Sequence, residues 1–295
     1  MSSLKTLIRD IATLSKPGLT AMNVMMTAGA MGLAPTPIPL VVWVMILIAS
    51  TLLIASANTL NMYYEREGDK LMTRTRQRPL PAGRMDARRV FIGGVLAGLA
   101  SLGILWHWGN LTTMLIGASA WVSYVWIYTP MKRQSRWSVV VGAYPGAIPP
   151  LLGWVAATGG IGAEGVVLFL IVFFWQVPHF IAISLYRQQD YDRAGIKVWP
   201  SERGDEAAKI LALLFTLPLV PVSLLLVPLG IASYAYFVLA GGLGVWFFIT
   251  CLRGFEPSSG ARWARHFFIV SIIYLPVLTI GLLIDFVFLK AGFAG

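Results

Sequence analysis

The sequence predicts an all-α, polytopic membrane protein: a bundle of nine transmembrane helices with a cytoplasmic N-terminus and a C-terminus outside. The composition, the lengths of the apolar runs and the placement of Lys and Arg predict it. Of the 295 residues, 57% are hydrophobic and 12% are charged, whereas an ordinary soluble domain carries about 25% charged residues. The composition therefore excludes a soluble globular fold.

Nine apolar runs are long enough for helices that cross the hydrocarbon core, which needs about 20 residues. The first run is the shortest, and prolines at 35, 37 and 39 turn the chain into the second. Prolines inside the seventh and ninth runs are compatible with membrane helices, where neighbouring helices satisfy the freed carbonyls. The predicted spans are 18–34, 38–62, 87–106, 110–130, 137–158, 164–186, 207–229, 232–252 and 266–289.

The basic residues test this count, because Lys and Arg collect in the cytoplasmic loops of membrane proteins. With the N-terminus inside, the nine spans place 22 of the 23 Lys and Arg residues on the inner side, and Lys290 falls outside. The net charge of +10 is therefore explained by membrane topology rather than by nucleic-acid binding. Eleven of the 13 acids share the inner side. Acids follow no comparable sorting rule, so their concentration favours a cation site.

The first acidic constellation stands where the second span leaves the membrane. Asn61, Glu65 and Asp69 are four residues apart and share one face of a continuing helix, with Asn58 one turn deeper. Carboxylate and amide oxygens are hard ligands that suit Mg²⁺, which is commonly bound together with substrate phosphates. The arginines that come shortly after Asp69 in the sequence are well suited to bind phosphate oxygens. The pattern favours a magnesium–diphosphate site over its alternative, a solvated charged loop.

The second constellation ends the sixth span. On a continuing helix, Tyr186 and Asp190 share one face, and Arg187 and Tyr191 share the next. His179 lies 11 residues before Asp190, on the same face and about 16 Å deeper. An ionisable group at that depth usually faces a cavity, although a hydrogen bond to a neighbouring helix is an equal alternative. We interpret the two constellations as half-sites that converge on one ligand.

Several stretches of this sequence resemble a known family, the UbiA-type intramembrane prenyltransferases. The pattern Asn61-x-x-x-Glu65-x-x-x-Asp69, continued by Arg74 and by Arg78-Pro-Leu-Pro, resembles the first signature of that family. Glu65 departs from it, since Asp is usual there. Three further stretches, 15–18, 142–154 and 178–195, resemble the branch of the family that acts on heme.

The resemblance implies Mg²⁺-dependent transfer of a farnesyl group from farnesyl diphosphate to a vinyl group of heme b, which gives heme O. The implied metal ligands are Asn61, Glu65, Asp69 and Asp190. The implied diphosphate-binding residues are Lys16, Arg74, Arg78 and Arg187. The implied catalytic residues are Asp69, Asp190 and His179, with His179 near either the heme iron or the reacting vinyl group. The implied substrate pocket contains Asn58, Tyr63, Tyr186 and Tyr191.

We expect a single prenyltransferase domain over 1–295, with a cytoplasmic segment at 1–17 and acidic motif loops at about 61–86 and 186–206. The expected location is the inner membrane of a bacterium, and the expected protein partner is a heme A synthase or a terminal oxidase assembly. Two alternatives stay open: a UbiA-type enzyme with another aromatic acceptor, such as a quinone precursor, and a membrane transporter. A transporter would place its site near the bilayer midplane.

Overall fold

The computed structural model describes residues 4–35, 37–72, 75–257 and 259–290. Within these ranges the regular secondary structure is entirely helical. Three short π-helical segments, Leu105–Gly109, Ser123–Tyr128 and Asp285–Lys290, continue α-helices. The α-helices are α1 (Leu4–Ser15), α2 (Pro17–Gly32), α3 (Leu40–Asp69), α4 (Ala87–Ile104), α5 (Leu111–Val122), α6 (Thr129–Met131), α7 (Ser138–Thr158), α8 (Gly162–Tyr186), α9 (Gln188–Arg193), α10 (Trp199–Leu224), α11 (Tyr234–Leu252) and α12 (Ala261–Ile284).

In the described part of the chain, eight helices are long and apolar enough to cross a membrane. They correspond to the second to ninth predicted spans. The first predicted span is α2, which has 16 residues and is therefore about 24 Å long, less than the roughly 30 Å of a hydrocarbon core. An all-helical membrane protein is confirmed, whereas the count of nine and the orientation of the termini stay predictions.

Two helix boundaries differ from the predicted spans in ways that affect the site. Helix α3 continues without a break to Asp69, beyond the predicted end at 62. Helix α10 begins at Trp199, before the predicted start at 207, because Pro200 suits the first turn of a helix. A kink follows at Gly204, whose φ of 84° lies in the left-handed region that favours glycine.

The helices α2, α7 and α8 pack closely through small residues of α7. A Cβ atom on Gly153 would lie 2.2 Å from the backbone oxygen of Thr27 in α2, and one on Gly146 would lie 2.4 Å from the side chain of Gln176 in α8. Such close approach at small residues is typical of membrane helices. It fixes α8, which carries His179, against the centre of the bundle.

Helix α1 is amphipathic and is fastened to the loop that follows α3. Its exposed side carries apolar residues, whereas Asp10 and Leu14 are buried. The guanidinium of Arg84 donates to both carboxylate oxygens of Asp10, with Nε–Oδ2 at 3.0 Å and Nη2–Oδ1 at 2.8 Å. The hydrogen bond from Arg84 holds the pKa of Asp10 below its usual value. The chain then enters α2 through Lys16, whose φ of 48° is left-handed.

Candidate active site

A cavity of about 360 Å³ lies at the end of the bundle where α3 ends. Its walls are the last turns of α3, the connection from α6 to α7, the inner face of α8 and the segment that leads into α10. Among the described residues, the charged side chains that line it are two carboxylates and six cations: Glu65, Asp69, Lys16, Arg78, Lys132, Arg133, Arg136 and Lys197. The cavity therefore attracts anions.

The two carboxylates of the cavity lie one turn apart on α3. Lys132 Nζ donates to Glu65 Oε1 at 2.8 Å. Arg78 Nη1 donates to Asp69 Oδ2 at 2.7 Å, and the Thr75 hydroxyl donates to the Asp69 backbone oxygen at 3.0 Å. Because α3 is unbroken through Asp69, the predicted helix face shared by these acids is confirmed.

Two asparagines of α3 hold the junction between α1 and α2 against the cavity. Lys16 Nζ donates to Asn61 Oδ1 at 3.0 Å, and Asn61 Nδ2 donates to Thr129 Oγ1 at 3.0 Å. One turn deeper, the buried Asn58 donates through Nδ2 to the backbone oxygen of Ser15 at 3.3 Å. These contacts place the Lys16 ammonium on the cavity wall, next to the acidic face of α3.

Lys132 and Arg133 line the cavity from the connection between α6 and α7. The ammonium of Lys132 lies 4.4 Å from the centroid of the Tyr128 ring. Burial opposes its charge, but the Glu65 carboxylate raises the pKa of Lys132 above its usual value, so it stays protonated. The guanidinium of Arg133 rests on Gly68, where a Cβ atom would lie 1.7 Å from Nη2. Only glycine leaves room for this contact.

The second constellation is arranged differently from the prediction. Helix α8 ends at Tyr186, Arg187 has non-helical dihedral angles of −119° and 27°, and α9 begins at Gln188. The predicted alignment of His179 and Tyr186 with Asp190 is therefore wrong, since it required one continuous helix. Arg187 and Tyr191 do stand one turn apart, because the Tyr191 N–H donates to the Arg187 backbone oxygen at 3.3 Å. Asp190 Oδ2 lies 3.6 Å from Arg187 Nη1, with both side chains about half exposed.

The structure brings only some of the predicted site residues together at the cavity. Of the residues described, those that were predicted for the site and line the cavity are Lys16, Glu65, Asp69, Arg78 and Tyr191. Tyr186, Arg187 and Asp190 do not lie among the lining residues. Tyr63 packs on Phe91 with ring centroids 4.9 Å apart. Arg74 lies outside the described residues.

His179 faces α12 rather than the acidic cavity. Its Nδ1 lies 2.7 Å from Ser271 Oγ, and that hydroxyl donates its only hydrogen to the Phe268 backbone oxygen at 2.6 Å. The histidine must therefore donate from Nδ1, which leaves the lone pair on Nε2. The imidazole ring stacks on Trp175 with centroids 4.7 Å apart and lies 5.2 Å from Phe268. The ring orientation and the tautomer are both fixed by α8 and α12.

Residues 23–272 match the UbiA prenyltransferase family. The chain belongs to this family. It is 42% identical over 278 residues to a protein named protoheme IX farnesyltransferase from Anaeromyxobacter dehalogenans (strain 2CP-C), covering 94% of each chain. A protein of the same name from Sorangium cellulosum (strain So ce56) is 46% identical over 238 residues, covering 81% of this chain and 85% of the relative.

Solved structures of other proteins share the fold. A structure of digeranylgeranylglyceryl phosphate synthase has a TM-score of 0.83 at 14% identity and covers 95% of this chain and 98% of that one. A UbiA homolog from Archaeoglobus fulgidus bound to DMAPP and Mg²⁺ has a TM-score of 0.67 at 17% identity, covering 92% and 99%. At these identities the likeness shows the helical fold. The predicted family and enzyme class are confirmed.

Sequence reasoning missed four cations of the cavity: Lys132, Arg133, Arg136 and Lys197. In the sequence they read as cytoplasmic loop charges, which the preference of Lys and Arg for the inner side explains without a site. One signal was available, because three of them lie within five positions directly after a predicted span on the same side as the acids.

Proposed function

We propose that this prenyltransferase moves the farnesyl group of farnesyl diphosphate to a vinyl group of protoheme IX and so forms heme O. The observation that carries the proposal is the cavity in which Glu65 and Asp69 lie with Lys16, Arg78 and Lys132. The relatives named protoheme IX farnesyltransferase support the choice of farnesyl donor and heme acceptor.

The oxygen donors of α3 fit a magnesium ion. Asn61, Glu65 and Asp69 offer an amide and two carboxylates on one unbroken helix face, and hard oxygen ligands are those that Mg²⁺ prefers. We assign these residues as its ligands, with Asp190 as a further ligand that would exchange its partner Arg187 for the metal. When bound, Mg²⁺ supplies charge neutralisation on the diphosphate.

The cations around this face would hold the diphosphate and stabilise its growing charge as the carbon–oxygen bond breaks. Lys16, Arg78 and Lys132 already contact the amide and carboxylates of α3. A diphosphate that entered the cavity would share these donors, because ammonium and guanidinium groups bind phosphate oxygens strongly. Arg74 and Arg187 are proposed for the same role.

The transfer forms one carbon–carbon bond and consumes one water. The carbon–oxygen bond of farnesyl diphosphate breaks, and its electron pair leaves with the diphosphate. The π electrons of the heme vinyl group bond the farnesyl carbon, after which water adds to the other vinyl carbon and loses a proton. The rings of Tyr128, Phe180 and Tyr191 line the cavity and could shield the allylic cation through their π faces.

His179 is assigned to the acceptor side of the reaction. Because the Ser271 hydroxyl donates to Phe268 and accepts from Nδ1, Nε2 is the atom that could bind the heme iron or accept the proton from the adding water. The two roles require the same tautomer.

In the membrane, we propose nine spans that include α2, a cytoplasmic N-terminus and an outside C-terminus. The cavity then opens to the cytoplasm, where water-soluble diphosphate can leave, while the farnesyl chain enters the bundle. The bacterial inner membrane, one prenyltransferase domain over 1–295 and delivery of heme O to a heme A synthase or a terminal oxidase assembly complete the proposal.

The test is an assay of the purified protein with heme b, farnesyl diphosphate and Mg²⁺, followed by mass spectrometry. We expect a product heavier than heme b by one farnesyl group and one hydroxyl, and none when Mg²⁺ is removed. A parallel assay offers an aromatic quinone precursor as the acceptor. Product from that acceptor alone would reassign the substrate, and no product from either would refute the proposal.

A further inference from the structure

One corner of the cavity is separate from the acidic face of α3. It is formed by Arg136, Lys197 and Trp199, which all line the cavity where the chain enters α10. The guanidinium carbon of Arg136 lies 5.1 Å from the centroid of the Trp199 ring. Arg136 Nη1 and Lys197 Nζ both contact the Glu202 carboxylate, at 3.1 Å and 3.3 Å. Two cations therefore share one acid.

Two N–H donors of this corner have no acceptor. Arg136 Nε and Trp199 Nε1 are buried, and neither has a hydrogen-bond partner among the described residues. More than nine in ten buried polar groups in native proteins are hydrogen-bonded, so each exception calls for a cause. Arg136 and Trp199 both line the cavity, and an acceptor that comes from a ligand would account for both donors.

The charges of the corner define the chemistry of that ligand. Across the cavity, Lys132 and Arg78 each have a carboxylate of their own. The corner keeps one positive charge in excess, because Glu202 offsets only one of Arg136 and Lys197. An N–H pair beside an excess positive charge suits a carboxylate, which accepts several hydrogen bonds.

We propose that this corner binds a propionate carboxylate of protoheme IX; the inference rests on the proposed function and names the anchor of its acceptor. The propionates and the vinyl groups stand on opposite edges of the porphyrin. A propionate held beside Trp199 therefore keeps the vinyl edge away from this corner of the cavity. The corner thus sets which edge of heme meets the farnesyl group.

The test compares heme b with its dimethyl ester, in which both propionates are uncharged. Binding to the purified protein is measured by titration of the heme absorbance band, so turnover of the ester is not needed. We expect the wild-type protein to bind heme b about tenfold more tightly than the ester, since hydrogen bonds to charged groups contribute about that much. Equal affinities would overturn the proposal without any variant.

Arg136→Gln and Trp199→Phe locate the effect. Each should reduce the discrimination between acid and ester several-fold, and Trp199→Phe does so by removing the N–H while keeping an aromatic ring. Arg193→Gln, which changes an exposed arginine outside the cavity lining, is the control and should keep the full discrimination. If Trp199→Phe also keeps it, the indole N–H does not bind the carboxylate.

Farnesyl diphosphate binding by the same variants separates the two anionic ligands. We expect Arg136→Gln to bind farnesyl diphosphate within about twofold of wild type. Loss of that binding instead would assign the corner to the diphosphate and overturn the proposal. A wild-type protein that discriminates acid from ester but forms no heme O would refute the proposed function and leave the corner standing. Heme O formation without discrimination would refute the corner alone.

Discussion

Asp69 and Asp190 stand at the ends of two long stretches of predicted helix, but the structure treats them differently. Asp69 is buried on the last turn of α3 and accepts from Arg78 at 2.7 Å. Asp190 lies on the separate helix α9, about half exposed and 3.6 Å from Arg187. The difference comes from helix continuity, since α3 runs unbroken through its acids whereas α8 stops at Tyr186. The same residue spacing in the sequence therefore gives one carboxylate that lines the cavity, Asp69, and one that is half exposed outside the cavity lining, Asp190.

The two ion pairs also differ in what their loss should cost. Arg78 and Asp69 form the more buried pair. Removal of one partner from such a pair leaves an uncompensated buried charge, which destabilises the fold. An exposed pair such as Arg187 and Asp190 contributes about 1 kcal/mol or less to folding. Any large effect of changing Asp190 would therefore report on substrate or metal rather than on stability.

Asp69→Asn should have the largest effect, a loss of farnesyl transfer of about 100-fold or more, because it removes a proposed carboxylate ligand of the Mg²⁺ that neutralises the leaving diphosphate. Product formation by mass spectrometry measures it, with thermal unfolding as a check of folding. Glu67→Gln is the matched control on the same turn, since its side chain is 65% exposed, and should stay within about twofold of wild type. Similar rates for both variants would show that Asp69 has no role in the transfer.

Asp190→Asn should reduce transfer about tenfold or more and raise the Mg²⁺ concentration needed for half-maximal rate, if α9 supplies a metal ligand as proposed. The measurement is the rate against Mg²⁺ concentration. The unfolding temperature should not change, because the pair with Arg187 is exposed. If Asp190→Asn has the rate and the Mg²⁺ dependence of wild type, Asp190 is not a metal ligand.

Gly68→Ala should have a moderate effect. The added methyl group would occupy the position of Arg133 Nη2, and the flexible arginine would move away from the cavity face of α3. We expect a several-fold rise in the KM for farnesyl diphosphate with little change in stability. Gly93→Ala is the control, because nothing lies within 4 Å of a Cβ atom there. An unchanged KM in Gly68→Ala would show that Arg133 does not contact the donor.

Asp10→Asn should have the smallest effect, a loss of about 1 kcal/mol in the free energy of unfolding at pH 7, since Arg84 is partly exposed. The pKa of Asp10 is lowered by Arg84, so the pair stabilises the fold above the unfolded pKa of about 4 and is lost as the pH falls through the lower folded value. The difference in stability between wild type and variant should therefore shrink as the pH falls below about 4. A gap that persists there would exclude the ion pair as its cause.

The sequence predicted those parts of the site that depend on one helix. The face of Asn61, Glu65 and Asp69 followed from spacing alone, because α3 is regular. The break at Arg187 could not be predicted in the same way, since no glycine or proline stands between Tyr186 and Asp190 to mark it. Helical spacing carried across that break placed Asp190 on the wrong face.

Contacts between distant segments were also beyond the sequence. The hydrogen bond between His179 and Ser271 joins residues that are 92 positions apart. The spacing of residues along one helix cannot predict a contact between two different helices. The cavity cations Lys132 and Arg136 could not be singled out from the sequence, because the preference of Lys and Arg for the cytoplasmic side explains every basic loop residue equally well. Tertiary packing distinguished the basic residues that line the cavity from those that only mark the membrane side.

The most direct test of a diphosphate and metal site at the end of α3 is the binding of farnesyl diphosphate with and without Mg²⁺, in wild type and in Asp69→Asn. Equilibrium binding of labelled farnesyl diphosphate to the purified protein provides the measurement. We expect Mg²⁺ to strengthen binding to wild type about tenfold or more and to have little effect on the variant. An equal strengthening in both proteins would contradict the assignment of the metal to this end of α3.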